Sequence, residues 1–228
     1  DLERVTDTLI SLGMSPNVGA ILIVSLGCEG TDHERMYKEL SATGKHVEII
    51  HIQELGGVSK AIQLGTDIAR KLVIEISGLQ RQPVDVSKIV MAIKCGASDT
   101  TSGMASNCVI GYVADKLVDL GATVIFGETT EFLGGEHLLA RRAVNKEVAD
   151  KIYEIVTNME NRAKSIGCDM RKGQPTPGNI AGGLSSIEEK SLGAIVKSGT
   201  RPIQGVLEYP QHVTDQKGPV SYTHLTLP

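Results

Sequence analysis

A thiol, small hydroxyl groups and a carboxylate are concentrated in one short stretch, residues 94–103, which reads Lys-Cys-Gly-Ala-Ser-Asp-Thr-Thr-Ser-Gly. It contains Cys95, Ser98, Asp99 and Ser102. Thiolates and carboxylates bind transition metals, while hydroxyls and carboxylates bind polar substrates or transfer protons. The alternative is structural: a loop between a strand and a helix, with an Asp or Ser N-cap and a buried Cys. From this stretch alone, both interpretations stay open.

Two further segments place groups of the same kind directly after an apolar run. Cys28 follows the first such run, and Glu128 and Glu131 follow another. The carboxyl ends of parallel strands share one edge of a sheet, where open α/β folds bind ligands. We therefore expect Cys28, Cys95 and the two glutamates to converge on one site. The spacing matches no known metal-binding motif, so such a site must be assembled from distant segments.

The elements that must position these groups alternate between strands and helices. The apolar, β-branched runs are typical of strands buried on both faces of a parallel sheet, and helical periodicity follows each of them. This alternation predicts an α/β fold with a doubly wound, mostly parallel, Rossmann-like sheet and flanking helices, as a fragment of a larger catalytic unit. The predicted strands are residues 18–26, 47–52, 89–93, 122–127 and 203–209.

The chain changes character near its last quarter. We predict that residues 1–167 form the α/β domain. Residues 168–212 are rich in Gly and Pro, which predicts an active-site loop and the start of a following catalytic segment. Residues 218–228 resemble a translated sequencing adapter, so a non-native tail is expected there.

Composition limits the classes of function. Hydrophobic residues make up 41% of the chain and charged residues 22%, as in globular proteins. The net charge of -4 and the lack of a basic run with interleaved aromatics argue against a nucleic-acid partner. No apolar run approaches the roughly 20 residues of a membrane span, so no membrane partner is expected. Four cysteines without CxxC spacing or a signal peptide favour a reducing, cytoplasmic compartment.

Five motifs occur along the chain in a fixed order. They are Ser-Leu-Gly-Cys-Glu at 25–29, Lys-Cys-Gly-Ala-Ser-Asp at 94–99, Glu-Thr-Thr-Glu at 128–131, Pro-Thr-Pro-Gly-Asn-Ile-Ala-Gly-Gly at 175–183 and Glu-Glu-Lys-Ser-Leu-Gly at 188–193. With these motifs the chain closely resembles the altronate/galactarate dehydratase (UxaA-type) family of sugar-acid hydro-lyases over roughly residues 15–212. Ala97 departs from that pattern, because a second Gly usually follows Cys-Gly in the family.

The resemblance implies an enzyme that dehydrates a sugar acid to a 2-keto-3-deoxy acid with a divalent metal, typically Fe²⁺. It also implies a small-molecule sugar-acid substrate and assembly as a homo-oligomer or with a small partner subunit. Such a reaction needs a base for the α-proton, an acid for the β-hydroxyl and a metal at the carboxylate. As a hypothesis, the catalytic residues are Glu128, Glu131 and Lys190, the substrate-binding residues Ser98, Asp99, Ser102 and Asn179, and the metal ligands Cys28 and Cys95.

Two alternatives stay open at this point. The same family includes the large subunits of sulfolactate sulfo-lyases, which expel sulfite instead of water. The second alternative is that the chain is an inactive fragment that acts only as a non-catalytic α/β binding module.

Overall fold

The computed structural model describes residues 2–207 and 218–222. The chain divides into two compact units, Asp1–Pro83 (unit 1) and Val84–Pro228 (unit 2). Each unit contains parallel strands and helices, so the predicted mixed α/β class is confirmed. No helix in the described part of the chain is long and apolar enough to cross a membrane.

Unit 1 is built on a two-stranded parallel sheet. Its strands pair in register from Ala20 opposite His46 to Ser25 opposite His51. Apolar side chains from both strands and from two helices form the core, because each of these elements is apolar on one face only. The elements are α1 (Leu2–Met14), β1 (Ala20–Ser25), α2 (His33–Ser41), β2 (His46–His51) and α3 (Val58–Ser77).

Unit 2 holds a sheet of four parallel strands, which are β3 (Val90–Ile93), β4 (Thr123–Phe126), β5 (Gly205–Leu207) and β6 (Gly218–Tyr222). Their spatial order in the sheet is β3-β4-β6-β5. Its helices are α4 (Asn107–Asp119), α5 (Glu136–Ala140), α6 (Lys146–Ser165), α7 (Met170–Gly173), α8 (Pro177–Ala181) and α9 (Ile187–Ile195).

The core of unit 2 lies around β4 and the short 3₁₀ turn that follows it. Phe126 and Phe132 are fully buried and meet edge to face, with ring centroids 5.8 Å apart. Val124 of β4 and Ile152 of α6 are also completely excluded from solvent. This aliphatic and aromatic core holds the carboxyl end of β4, where the sequence places Glu128, in a fixed position.

A single doubly wound, Rossmann-like sheet is not shown, because the described strands divide between two sheets of two and four strands. The alternation of strands and helices determines the type of each element but not the sheet that each strand joins. The domain boundary at 167/168 stays a prediction. Residues 218–222 of the expected tail form β6 between β4 and β5, while residues 223–228 and 208–212 lie outside the described residues.

Candidate functional site

The loops that follow β3 and β4 bring a thiol and two carboxylates together. Because these strands are parallel neighbours, their carboxyl ends lie side by side. The backbone N–H of Cys95 donates to Oε2 of Glu128 at 2.8 Å. The Cys95 thiol donates to Oε2 of Glu131, with sulfur and oxygen 3.2 Å apart. The expected convergence of Cys95 with the two glutamates is therefore present in unit 2.

Lys197 completes this group, and the sequence analysis did not single it out. Its side chain is only 1% exposed. Its ammonium donates to Oε2 of Glu128 at 2.7 Å, to Oε2 of Glu131 at 3.0 Å and to the sulfur of Cys95 at 3.1 Å. An ammonium has three N–H donors, so these contacts use its full donor capacity. We call Cys95, Glu128, Glu131 and Lys197 the acid–lysine cluster.

A close approach between α4 and the turn after α9 fixes the backbone of Lys197. Lys197 belongs to the 3₁₀ turn Val196–Ser198. A Cβ at Gly111 would overlap the carbonyl oxygen of Val196, so glycine is required at this point of contact. Asp115, one turn further along α4, accepts the backbone N–H of Thr200 at 2.7 Å. The position of Lys197 is thus fixed by packing and loop contacts with distant segments and not by its neighbours in sequence.

Glu128 adopts a left-handed backbone conformation, with φ at 69°. Such conformations are costly for residues other than glycine and are found where the surrounding structure enforces them, often at functional sites. Here the conformation directs the carboxylate toward two lysines, because Lys94 also contacts its Oε1 at 2.6 Å. Burial alone would raise the pKa of Glu128, but Lys197, Lys94 and the N–H of Cys95 outweigh it and lower the pKa to about 2.

Two lysines balance the two carboxylates of the cluster: Lys197 within it and Lys94 beside it. Burial, with the nearby carboxylates, raises the pKa of the Cys95 thiol to about 11 against the opposing effect of Lys197, so the sulfur is protonated. Burial opposes the charge on Lys197, but attraction to Glu131 and Glu128 outweighs it and raises the lysine pKa. Because the thiol is neutral, the two carboxylates are what hold the ammonium. Lys94 and Lys197 together offset the two carboxylates.

A cavity of about 330 Å³ adjoins the cluster in unit 2. Ser98 links the two, since it lines the cavity and its hydroxyl donates to Oε1 of Glu131 at 3.3 Å. Four of the residues assigned to substrate or catalysis from the sequence line this cavity, namely Ser98, Asp99, Ser102 and Lys190.

Asn179 lies beside the cavity and joins its two sides. Its side-chain amide donates to the carbonyl of Ser98 at 2.8 Å, and its Oδ1 accepts from Nζ of Lys190 at 3.2 Å. The same residue takes part in a capping box with Thr176 at the start of α8. The Gly- and Pro-rich segment therefore packs against the loop after β3 through Asn179.

Asp99 makes the contacts of an N-cap. Its carboxylate accepts the backbone N–H of Ser102 at 2.7 Å and the hydroxyl of Thr101 at 2.8 Å. These donors, the Thr101 hydroxyl first, lower the pKa of Asp99. Asp99 and Ser102 thus shape the start of the helical segment and also line the cavity, and their substrate-binding role stays a prediction.

Cys28 lies in unit 1 after β1, where it is exposed. Its sulfur accepts from Nε2 of Gln53 at 3.3 Å. Among the described residues, the group that could hold a metal ion consists of Cys95, Glu128 and Glu131, whose ligand atoms lie within 4.8 Å of one another. Cys28 is not part of that group, and its assignment as a metal ligand stays a prediction.

The donor set of this triad fits a divalent transition metal, since a thiolate combined with carboxylates suits such ions better than Ca²⁺ or Mg²⁺. The ammonium of Lys197 contacts the same three side chains. A metal therefore fits the donor chemistry of the triad, provided that the lysine side chain leaves.

Comparison with known proteins decides the family. Residues 86–223 match the family model described as D-galactarate/Altronate dehydratase, C-terminal. Residues 1–77 match D-galactarate dehydratase/Altronate hydrolase, second domain. The chain belongs to the galactarate/altronate dehydratase family. The resemblance drawn from the motifs is thereby confirmed, and the two matched segments correspond to the two compact units.

Curated members of the galactarate/altronate dehydratase family align with most of the chain. It is 42% identical to (2R)-sulfolactate sulfo-lyase subunit beta of Chromohalobacter salexigens, over 91% of this chain and 53% of that protein. It is 33% identical to galactarate dehydratase (L-threo-forming) of Escherichia coli, over 91% of this chain and 41% of that protein. It is 31% identical to altronate dehydratase of Bacillus subtilis, over 92% of this chain and 41% of that protein. The chain thus spans about half the length, or less, of these relatives, which are named as lyases.

One signal in the sequence of this family member could have revealed Lys197. The lysine directly follows the apolar residues Ala-Ile-Val at 194–196, on a segment with the character of a buried helix end. A lysine in such a position is almost never fully buried unless it is paired. Its partners, however, come from loops about 66 and 102 residues away in the chain, and no local pattern identifies them.

Proposed function

We propose that this chain is part of a lyase that removes the C2 proton and a C3 leaving group from a 2-hydroxy carboxylate, with a divalent cation at Cys95, Glu128 and Glu131. The observation that carries the proposal is the buried acid–lysine cluster at the carboxyl ends of β3 and β4, beside a cavity that Ser98, Asp99, Ser102 and Lys190 help to line. Family membership supports it, because the curated relatives are named as dehydratases and a sulfo-lyase.

In this proposal Glu131 takes the C2 proton. Its Oε1 accepts from Ser98, which lines the cavity, and is the oxygen that takes the proton. Its Oε2 contacts Cys95 and Lys197 and is the oxygen that would hold the cation once the lysine side chain has left. A carboxylate oxygen fixed beside a residue that lines the cavity is preorganised to accept a proton from a bound substrate. When bound, the divalent cation, most simply Fe²⁺, supplies Lewis-acid stabilisation of the charge that develops on the substrate carboxylate.

Lys190 binds the anionic end of the substrate. It lines the cavity, and its hydrogen-bond partners in the described structure are the neutral amide oxygens of Gln174 and Asn179, at 2.8 and 3.2 Å. Its charge is therefore left for an anionic ligand. Ser98, Asp99 and Ser102 supply hydroxyl and carboxylate groups for the substrate hydroxyls, as the sequence predicts.

Sulfite is the leaving group that we propose first, because identity is higher to the sulfo-lyase beta subunit, at 42%, than to the dehydratases, at 31% and 33%. The substrate is then sulfolactate, and the name of that relative also supports a partner subunit for this chain. Water is the second candidate, with altronate or galactarate as the substrate, because both matched family models describe dehydratases or hydrolases of these acids.

An assay of two products tests the proposal. The purified iron-loaded protein, with its partner subunit if one copurifies, is offered sulfolactate, altronate and galactarate, and sulfite and 2-oxo acid are measured separately. Sulfite with 2-oxo acid supports the first candidate, and 2-oxo acid alone supports the second. Binding of any of these acids with neither product indicates a binding module and overturns the proposal.

Two variants test the assigned roles. Glu131→Gln removes the base, so kcat should fall at least about a hundredfold. Glu147→Gln, an exposed carboxylate of α6 paired with Lys151, serves as the control and should leave kcat unchanged. Cys95→Ser should lower bound iron and turnover together, and unchanged values for both would refute the ligand assignment.

A further inference from the structure

We infer that Lys197 is a built-in competitor of the metal: its ammonium occupies the donor atoms of Cys95, Glu128 and Glu131, and a divalent cation binds only by displacing it. The inference rests on the proposed function, in which this triad holds the metal. It adds a residue that sets the metal affinity of the site.

The contacts of Lys197 coincide with the ligand set. Its three N–H donors reach the sulfur of Cys95 and one oxygen of each glutamate, at 2.7 to 3.1 Å. These three side chains form the group within the described residues whose ligand atoms lie close enough together for one ion. The ammonium thus stands where a shared cation would stand.

Lys197 and a divalent cation cannot share this position. Metal–ligand bonds to carboxylate oxygen and thiolate are about 2.0–2.3 Å long, so a metal at the centre of the triad would lie within a few ångström of Nζ. Two cations at that distance in a buried site repel each other strongly. An ammonium has no lone pair and cannot serve as a ligand.

Displacement is confined to the side chain of Lys197, because its backbone is held on both sides. Gly111 packs against the carbonyl of Val196 just before it, and Arg142 donates to the hydroxyl of Ser198 at 2.8 Å just after it. A lysine side chain has four flexible carbons and can swing away from such an anchor. A divalent cation then binds more weakly, because part of its binding free energy is used to break the contacts of Lys197.

A cobalt titration tests the competition directly. Co²⁺ is added anaerobically to the metal-free protein, and the near-ultraviolet absorption of a cobalt–thiolate bond reports occupancy of Cys95, independently of turnover. Lys197→Met removes the ammonium and keeps an unbranched side chain of similar reach. Its Kd for Co²⁺ should be at least tenfold smaller than that of the unmodified protein, which corresponds to about 1.4 kcal/mol.

Two further variants serve as controls. Lys146→Met breaks an exposed lysine–carboxylate pair of 2.6 Å with Asp150 and should leave the Kd unchanged. Lys197→Arg keeps a positive charge at the site and should bind Co²⁺ no more tightly than the unmodified protein. If circular dichroism shows that Lys197→Met does not fold, Lys197→Gln takes its place with the same expectation.

The outcomes separate this inference from the proposed function. A cobalt–thiolate band with the same Kd in Lys197→Met and the unmodified protein overturns the competition and leaves the metal site standing. Equal tightening in the Met and Arg variants also overturns it, because packing would then be responsible. The absence of a Cys95-dependent band in every variant overturns the proposed metal site itself.

Discussion

Two loops of this protein begin alike, and only one of them becomes a buried cluster. In unit 1, β1 is followed by Cys28 and Glu29; in unit 2, β3 is followed by Cys95 and a Ser-Asp pair. Cys28 is exposed and contacts one neutral amide, whereas Cys95 is partly buried among two carboxylates and an ammonium. The thiol after the strand is common to both, and the partners that reach it from distant segments differ.

The comparison also shows that a shifted pKa alone does not identify such a site. The pKa of Glu29 and that of Glu128 are both lowered to about 2. For Glu29, whose side chain is half-buried, the cause is the Ser25 hydroxyl and then neighbouring backbone N–H groups. For Glu128 two ammonium groups outweigh burial. Only the second arrangement combines charge, burial and an adjoining cavity.

The largest effect that we expect comes from removing the central cation of the acid–lysine cluster. Lys197→Met leaves two buried carboxylates facing each other, and the loss of one partner of a buried pair costs about 3–5 kcal/mol. Urea unfolding of the metal-free protein measures the change. In unit 1, Gln53→Ala removes only an exposed contact to Cys28 and should change stability by less than about 0.5 kcal/mol. Equal effects of the two substitutions would erase the distinction between the two loops.

The reactivity of the two thiols provides the next test. Because the pKa of Cys95 is raised to about 11, its thiolate fraction at pH 8 is about a hundredfold smaller than that of a thiol with the ordinary pKa of 9. Iodoacetamide should therefore modify the exposed Cys28 far faster than Cys95 in metal-free protein. Peptide mass spectrometry over a time course measures both rates, and similar rates would contradict the assigned burial of Cys95.

A pair of glycine substitutions tests how the lysine is delivered. Gly111→Ala places a methyl group against the backbone carbonyl of Val196, which cannot move without shifting the turn of Lys197, and should cost about 2 kcal/mol. Gly30→Ala, beside the unit 1 loop, meets only the flexible side chain of Leu2, so a loss below about 1 kcal/mol is expected. Thermal unfolding ranks the two variants, and the reverse order would refute this account of the turn.

The smallest effect concerns acid stability. The pKa of Glu128 in the folded protein, about 2, lies below its ordinary value of 4.5, so its contribution is present above pH 4.5 and is lost as the pH falls toward 2. In Glu128→Gln the free energy of unfolding should fall by about 1 kcal/mol less between pH 4.5 and pH 2. This figure already allows for solvent screening of the charges. The pKa of Glu29 is lowered mainly by hydrogen bonds from the Ser25 hydroxyl and backbone N–H groups, which carry no net charge, so the corresponding change in Glu29→Gln should be the same at low salt and at 1 M salt. The Glu128 effect should shrink at 1 M salt, because two ammonium groups lower that pKa and salt screens charges. Acid unfolding at low and high salt compares the two variants, and a Glu128 effect that does not change with salt would contradict this cause.

Local patterns in the sequence were sufficient for the elements and for part of the site. Helical spacing predicts a helix over residues 107–120, and α4 covers Asn107–Asp119. Apolar runs predict β3 and β4, and parallel pairing of neighbouring strands predicts that Cys95, Glu128 and Glu131 converge. Periodicity is determined by a few neighbouring residues, and the convergence follows wherever β3 and β4 pair as parallel neighbours.

The division into two sheets and the position of Lys197 were decided by the tertiary structure alone. Alternating strands and helices are compatible with one sheet or two, because the choice depends on which faces pack together over long distances. Lys197 reaches Cys95 across 102 residues of chain, through the glycine contact between α4 and the turn after α9. A buried ammonium is stable only where carboxylates from other loops contact it, and the segment that contains the lysine does not reveal which distant residues these are.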